Sequence, residues 1–511
     1  MTLTIEEMAA FCKRKGFVYP TAEIYGGLAG FWDFGPLGVE LKNNIKRQWW
    51  KTFVHNRTDV FGIDGAIITN KKVWEASGHA ANFADLMLIS KKTKIKYRAD
   101  QFIADKLGIN TEGITAAEVN KLVKEHKLLA DNGEEFEEVK PFNLMFETAV
   151  GPSQGSQNIA YLRPETAQSI FINFNLVADN ARAKLPFGIA QVGKAFRNEI
   201  SPRDFLFRSR EFDLMEIEYF IHPDKLQDCP FFADVKDLKI QVLTAEQQEH
   251  KKQHAEVSFH YLVDTSLASP WHAYWLACFY QWFLELGLKK ENLRLREHMK
   301  EELAHYAGAC FDFEYKFPFG WKELQGDADR TQYDLTKHGE MSGKPMVMYD
   351  EESKQKIVPY VAAEPAQGVE RLFLAILFDA YEDDKKRENI VLHLHPSLAP
   401  VHVGVFPLVN KLKDKAQEVF IGLQKQFVCQ YDKSGSIGRR YARADEMGVP
   451  LCITVDFETL EDHSVTVRDR DSTKQIRVPL ATLSGVIAQF FAGAPLLSLG
   501  KEVSVQVVKE E

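Results

Sequence analysis

Three observations predict an α+β fold built on an antiparallel sheet, followed by a separate α/β unit. Residues 186–222 hold two alternating apolar/polar runs, PFGIAQVGKAFRNE and EFDLMEIEYFIH, joined by the arginine-rich link ISPRDFLFRSR. That pattern is the signature of an antiparallel hairpin with a long basic loop. PYVAAEPAQGVERLFLAILFDAYE then changes from strand to helical spacing through Pro365 and Gly368. After His395-Pro396 come an apolar strand (VHVGVFPLV), a helix from Lys411 to Phe427, and further alternating signals.

The remaining elements follow in chain order. Residues 39–54 read as an amphipathic helix, with Val39, Ile45, Trp49, Trp50 and Phe53 near helical spacing and Lys42, Lys46, Arg47 and Lys51 between them. Gly35-Pro36 supplies a turn and a start signal. Residues 85–140 are rich in lysine and glutamate and include Thr115-Ala-Ala-Glu118, a capping-box pattern heading a helix to about Lys127. Nothing in that stretch looks catalytic, which marks it as an insertion. Residues 270–310 are mostly helical by periodicity. The expected division is a core at 1–399, with an insertion at about 85–160 and a helical insertion at about 225–310, and a second domain at 400–511. No internal repeat or low-complexity tract interrupts this plan.

Composition sets outer limits. The chain has 511 residues, 45% hydrophobic and 26% charged, ordinary values for a folded protein of two to four domains. No apolar stretch reaches the ~18–20 residues of a membrane span, and the N-terminus lacks an apolar signal core. Six scattered cysteines without a CxxC argue against a disulfide framework or a cysteine zinc site, so a reduced, cytoplasmic protein is expected. The net charge of −9 does not exclude nucleic acid, because phosphates respond to local basic clusters.

Several nucleotide signatures are missing. There is no GxxxxGK[ST], and GSIGRRY falls short of a dinucleotide fingerprint. No HExxH or paired His/Cys arrangement supports a metal cage. What stands out is a set of carboxylates inside strand patterns, Glu199, Glu216, Glu218, Glu323 and Glu364, in company with arginines. Arg197 and Arg208 suit bidentate phosphate contacts, Phe212 offers a face for a base, and Arg371 sits at a strand-to-helix junction.

These residues carry a family resemblance. FRNE with RSREF resembles motif 2 of the class II aminoacyl-tRNA synthetases, and GVER opening an apolar helix resembles their motif 3. YGGLAGFWDFGPLGVELKNNI, VWEASGH, YRAD, LRPETAQ, FRNEISPR, REFDLMEIE, GWKELQGDADRTQYDLTKH and EPAQGVER resemble, more narrowly, the dimeric-type glycyl-tRNA synthetases. GSIGRRYARADEMGVP and VTVRDRDSTKQ are similar to the anticodon-binding domain of that subgroup. The likeness spans nearly the whole chain in order. It departs in four places: Lys71 replaces a usual motif 1 proline, Ser90 and Thr93 replace cysteines, Leu214 replaces Gln or Met, and Ala366 replaces a serine.

The resemblance implies a class II synthetase antiparallel sheet flanked by helices, with a C-terminal α/β anticodon-binding domain. It implies a ligase that activates glycine with ATP and passes it to the 3′ end of its tRNA, working as a homodimer. It assigns catalytic roles to Arg197, Glu199 and Arg371. ATP contacts are implied for these and for Asn198, Phe207, Arg208, Phe212, Glu323, Leu324 and Gly368. Glycine contacts are implied for Arg98, Glu165, Phe212, Glu216, Glu364, Ala366 and Gly368. Mg²⁺ accompanying ATP is assigned to Glu323 and Glu364, and tRNA contacts to Arg439, Arg440 and Arg443. No zinc is expected, given Ser90 and Thr93. Two rivals are a synthetase for proline, threonine or serine, and a non-catalytic nucleic-acid-binding relative. The acid-rich pocket and the lack of an editing segment oppose the first, and the intact ATP clamp opposes the second.

Overall fold

The computed structural model describes residues 3–109, 111, 113–151, 159–304 and 306–503. The expected units at 1–399, 85–160, 225–310 and 400–511 therefore reach, at 1–2, 110, 112, 152–158, 305 and 504–511, outside the described residues. No described helix is long and apolar enough to cross a membrane, and the six cysteines are unpaired.

Nine strands build the main sheet: β1 (Val60–Ile63), β2 (Phe187–Phe196), β3 (Glu211–Ile221), β4 (Lys239–Leu243), β5 (Ala255–Ser258), β6 (Leu293–Glu297), β7 (Ala309–Phe317), β8 (Gly320–Asp329) and β9 (Tyr360–Gly368). Their spatial order is β5-β4-β6-β7-β8-β9-β3-β2-β1. Neighbours run antiparallel except β1 with β2 and β4 with β6. The expected hairpin is β2 and β3, paired from Phe196–Glu211 to Phe187–Phe220.

Alternation along β3 decides which chemistry faces which way. Met215, Ile217, Tyr219 and Ile221 enter the main apolar core, whereas Phe212, Leu214 and Glu216 line a cavity on the opposite face. Three helices, α1 (Ile5–Lys15), α2 (Pro36–Trp50) and α4 (Pro270–Glu285), pack into that core, and α3 (Ala167–Ala181) covers a separate apolar cluster with Phe187, Ile189 and Phe220. In α2, Pro36 occupies the first turn, where its missing N–H costs nothing. A Cβ on Gly38 would stand 1.8 Å from the Phe17 carbonyl oxygen, so only glycine lets that turn approach the preceding chain. The buried stripe of α2 is Leu41, Ile45 and Trp49, continued by Phe53, while Val39 is exposed. Lys42 is buried among them because its ammonium lies 2.7 Å from Asp213 and 2.6 Å from Glu370.

The helical reading of 270–310 requires correction. α4 is apolar on all sides, but it ends at Glu285, and Leu293–Glu297 is strand β6. With β4 and β5, the segment 225–310 adds strands to the sheet alongside α4 and short helices at Ala245–Glu249 and Phe259–Asp264. LRLRE is a period-two run too short to stand out beside a strong helix. The 85–140 insertion folds around Leu88, Phe102, Ile103, Val119, Phe136 and Val139. Its capping box forms as expected, heading a helix at Ala116–Glu125.

Helix α5 (Val369–Ala380) follows β9 directly. Beyond it lies a second sheet of β10 (Val403–Pro407), β11 (Cys429–Tyr431), β12 (Leu451–Val455), β13 (Ser464–Asp469), β14 (Gln475–Pro479) and β15 (Lys501–Val503). The order is β11-β10-β12-β13-β14-β15, with β10 parallel to both its neighbours. Helices α6 (Lys413–Leu423), α7 (Ile437–Glu446) and α8 (Leu483–Phe491) belong to this unit. It has its own apolar core. α6 is shorter than the expected Lys411–Phe427.

Candidate active site

A cavity of about 270 Å³ opens over β3, β8 and β9. Its first half is built by the β2–β3 connection and the start of α5. Arg197 follows β2 directly; its Nε donates to the Pro164 carbonyl at 3.1 Å and its guanidinium lies 5.4 Å from the Phe212 ring centre. The Glu199 carbonyl accepts two bonds from Arg210, at 3.0 and 2.7 Å, which pins the loop. Arg208 Nε lies 3.8 Å from the Glu199 carboxylate. Arg208 Nη1 and Glu199 Oε2 are buried without a hydrogen-bond partner among the described residues. Buried polar groups are rarely left so, and a donor beside an acceptor in a cavity wall points to a polar ligand.

Arg371, one turn into α5, closes this half. Its Nη1 lies 2.8 Å from Glu323 Oε1, its Nε donates to the Phe207 carbonyl at 3.3 Å, and its guanidinium sits 4.6 Å over the Phe207 ring. Enclosure pushes the Glu323 carboxyl up, but Arg371 outweighs this and holds it below the usual range. Gly368 caps α5 and lines the cavity with Ala366.

The second half is acidic. Glu165, Glu216 and Glu364 line it, and Glu218 lies beside the last two, with ligating oxygens of Glu216, Glu218 and Glu364 within 4.8 Å of one another. Glu165 meets His79 Nε2 at 3.1 Å and accepts from Gln168 at 3.0 Å. Glu216 accepts the Thr166 hydroxyl proton. Glu364 meets Arg330 Nη1 at 2.6 Å, and Asp334 holds the other side of that guanidinium at 2.8 and 2.9 Å. Both Glu218 oxygens are fully buried without a partner among the described residues. Burial raises all four carboxyls. For Glu165, the His79 and Arg330 charges outweigh burial and hold it well below the usual range. For Glu216, burial and repulsion from Glu165 push it to about 7. Burial and repulsion from Glu364 push Glu218 well up, and burial with repulsion from Glu216 and Glu165 pushes Glu364 well up against the pull of Arg330.

The structure thus brings Arg197, Glu199, Phe207, Arg208, Phe212, Glu323, Gly368 and Arg371 together with Glu165, Glu216, Glu364 and Ala366. Three expected residues stand elsewhere. Leu324 is wholly buried in the main core, the face opposite Glu323 on β8. Asn198 is absent from the cavity lining; its amide donates to the Leu144 carbonyl at 2.7 Å. Arg98 also lies outside the lining, held by Asp85 at 3.0 Å and Asp100 at 2.8 Å. Arg330, His79 and Asp334 escaped the sequence reading as individuals. The i, i+4 spacing of Arg330 and Asp334 within GDADRTQYDLTKH was the available signal.

The C-terminal arginines also require correction. Arg440 is 4% exposed, its guanidinium donating to the Pro407 and Gly435 carbonyls, so it braces the sheet from α7 and presents nothing to solvent. Arg443 is held by Asp432 at 2.9 Å and by the Ser434 carbonyl at 2.6 Å. Arg439 is exposed.

For Mg²⁺, the two assigned carboxylates differ in fit. Glu323 is 46% exposed on the cavity wall and offers hard oxygens. Glu364 is buried, pairs with Arg330 and touches two further acids, a setting for a cation that donates hydrogen bonds.

Comparison with known proteins adds independent findings. Residues 402–490 match the family described as anticodon binding domain. The chain is 46% identical over 487 residues to a glycine–tRNA ligase of Caldanaerobacter subterraneus subsp. tengcongensis, covering 94% of this chain and 96% of that protein. Over 503 residues it is 44% identical to the glycine–tRNA ligase of Geobacillus kaustophilus, covering 96% and 100%. That of Clostridium perfringens is 43% identical over 499 residues, covering 95% and 98%.

Proposed function

The chain belongs to the glycine–tRNA ligase family, aminoacyl-tRNA synthetases that consume ATP, and we propose that the two-part cavity performs both of its chemical steps. In the first, a glycine carboxylate oxygen attacks the α-phosphorus of ATP. The new O–P bond forms as the bond to the β-phosphate breaks, giving glycyl-adenylate and pyrophosphate. In the second, a hydroxyl of the terminal tRNA ribose attacks the glycyl carbonyl and AMP leaves. The glycine carboxylate is ionised at neutral pH, so the first step needs alignment and charge neutralisation, not a general base.

Arg197 holds the α-phosphate and the attacking carboxylate. Glu199 Oε2 accepts from the adenine amino group, and Phe212 and Arg371 hold the two faces of the ring. Arg208 Nη1 reaches the outer phosphates, and Phe207 backs Arg371. Support comes from the unpaired Arg208 Nη1 donor and Glu199 Oε2 acceptor on the cavity wall. Mg²⁺ brought by ATP would be held at Glu323, where it supplies positive charge to the phosphates. Glu364 serves the amino acid instead: with Glu165 and Glu216 it receives the glycine ammonium, while Ala366 and Gly368 complete the wall. Glycine has no side chain to grip, so charge at its ends and excluded volume carry its recognition, and alanine fails on its methyl group.

The division at 1–399 and 400–511 is supported by two separate apolar cores. Arg439 is the anticodon-side contact this reading retains. A homodimer through α2 and β1 is supported by the position of β1 at the sheet edge and the exposed Leu176 beside it. A cytoplasmic location agrees with six unpaired cysteines. ATP–pyrophosphate exchange screened over the standard amino acids tests the assignment. Exchange should depend on glycine and vanish in Arg197→Ala. Exchange driven by another amino acid and not by glycine would overturn it.

A further inference from the structure

Beside the nucleotide half of the cavity, three donors of three kinds converge. His298 follows β6, and Cys310 and Asp312 lie on β7, two apart and therefore on one face. One ligating atom from each lies within 4.8 Å of the others, and all three residues line the cavity. The backbone fixes the arrangement: β6 and β7 are antiparallel, and the His298 amide donates to the Cys310 carbonyl at 3.0 Å. His298 Nε2 is buried 2.8 Å from Asp312 Oδ2, yet outside hydrogen-bond geometry. An imidazole nitrogen thus stands close against a carboxylate on the cavity wall. Arg296 approaches the same oxygen only to 3.7 Å and pairs more closely with Glu302.

A nitrogen, a sulfur and an oxygen donor at this spacing match borderline-soft divalent ions and mismatch Mg²⁺ or Ca²⁺. Tetrahedral zinc with bonds of about 2.0–2.3 Å separates its ligand atoms by about 3.3–3.6 Å, so side-chain shifts of roughly 0.5–1.5 Å bring the three donors to that spacing. We propose that His298, Cys310 and Asp312 form a binding site for one zinc-class divalent ion, with its open coordination position on the cavity. On binding, the Cys310 thiol proton leaves to water as the sulfur–metal bond forms. Neutral imidazole, thiolate and carboxylate then balance the dication. The site is distinct from Glu216, Glu218 and Glu364, whose all-oxygen cluster belongs to the amino-acid half. It is also separate from the insertion at Ser90 and Thr93. No linear motif announces it, because His298 lies twelve positions before Cys310, across the turn between β6 and β7.

Cobalt(II) added to the metal-stripped, full-length protein tests the site. One tight equivalent should bind, with a sulfur-to-cobalt charge-transfer band that disappears in Cys310→Ser and persists in Cys278→Ser. Affinity should fall at least tenfold in Asp312→Asn and in His298→Gln. X-ray absorption of the zinc-loaded, unsubstituted protein gives a reading free of folding effects: one sulfur and otherwise nitrogen or oxygen neighbours. No tight equivalent, a band surviving Cys310→Ser, or a zinc shell with no sulfur or with several would each overturn the proposal.

Discussion

Glycine affinity should rise with pH, and Glu216 sets the size of the change. Its carboxyl is pushed to about 7 by burial and by Glu165. Glu165, Glu218, Glu364, Thr166, Arg330 and Arg197 are its titratable or polar surroundings, with His79 acting one step away through Glu165. Only the ionised carboxylate attracts the glycine ammonium. At pH 6 about one molecule in eleven carries it, and at pH 8 about ten in eleven, so apparent affinity should improve about tenfold. The sign for stability is opposite. A carboxyl raised from 4.5 to about 7 stabilises the ligand-free fold below pH 4.5, and that contribution, on the order of 3 kcal/mol, is lost as pH rises from 4.5 through 7. Glycine KM in pyrophosphate exchange, measured from pH 6 to 8 at saturating ATP, reads the first effect. Glu216→Gln should weaken glycine binding and flatten the profile. A flat profile in the unsubstituted protein, or an equal slope in Glu216→Gln, would refute the assignment of this carboxylate to the ammonium.

Four further outcomes follow from the geometry. Arg371→Lys keeps the charge but loses the planar face and the contact with Phe207, so ATP KM should rise roughly tenfold with glycine KM unchanged, read by steady-state kinetics. Arg440→Ala should cost about 1–3 kcal/mol in urea unfolding, because the buried Pro407 carbonyl and the Gly435 carbonyl lose their donor. Arg439→Ala should leave unfolding unchanged and instead reduce the salt dependence of tRNA binding by about one unit of log–log slope. Lys42→Met strands the Asp213 and Glu370 carboxylates and should cost about 3–5 kcal/mol of stability, largely restored by adding Asp213→Asn and Glu370→Gln.

The hairpin was legible in the sequence because its period of two runs for ten or more residues on each side, and because arginines interrupt it only where the chain turns. The strand-to-helix change at Gly368 was legible for a similar reason. Family likeness named Glu165, Glu216 and Glu364, and alternation along β3 and β9 puts the last two on the cavity face. It failed where a neighbour decides the outcome. Leu324 follows Glu323 and so must point into the core. Arg440 looked like a surface cation until the Pro407 and Gly435 carbonyls claimed it. Arg330 and His79 reach the acidic half from segments far apart in sequence, and periodicity carries no signal for such meetings. The burial of Lys42 is another case, visible only once Asp213 turns inward.

The strand order has a consequence for the making of the molecule. β2 and β3 end by residue 221, but their neighbour β9 ends at residue 368, and the arginine that completes the wall comes three positions later. At a synthesis rate of about 5–20 residues per second, a nascent polypeptide waits on the order of 10–30 seconds with one edge of β3 bare. Ribosome-bound chains halted before Arg371 should therefore recruit chaperones and fail to retain nucleotide, whereas those released beyond it should not.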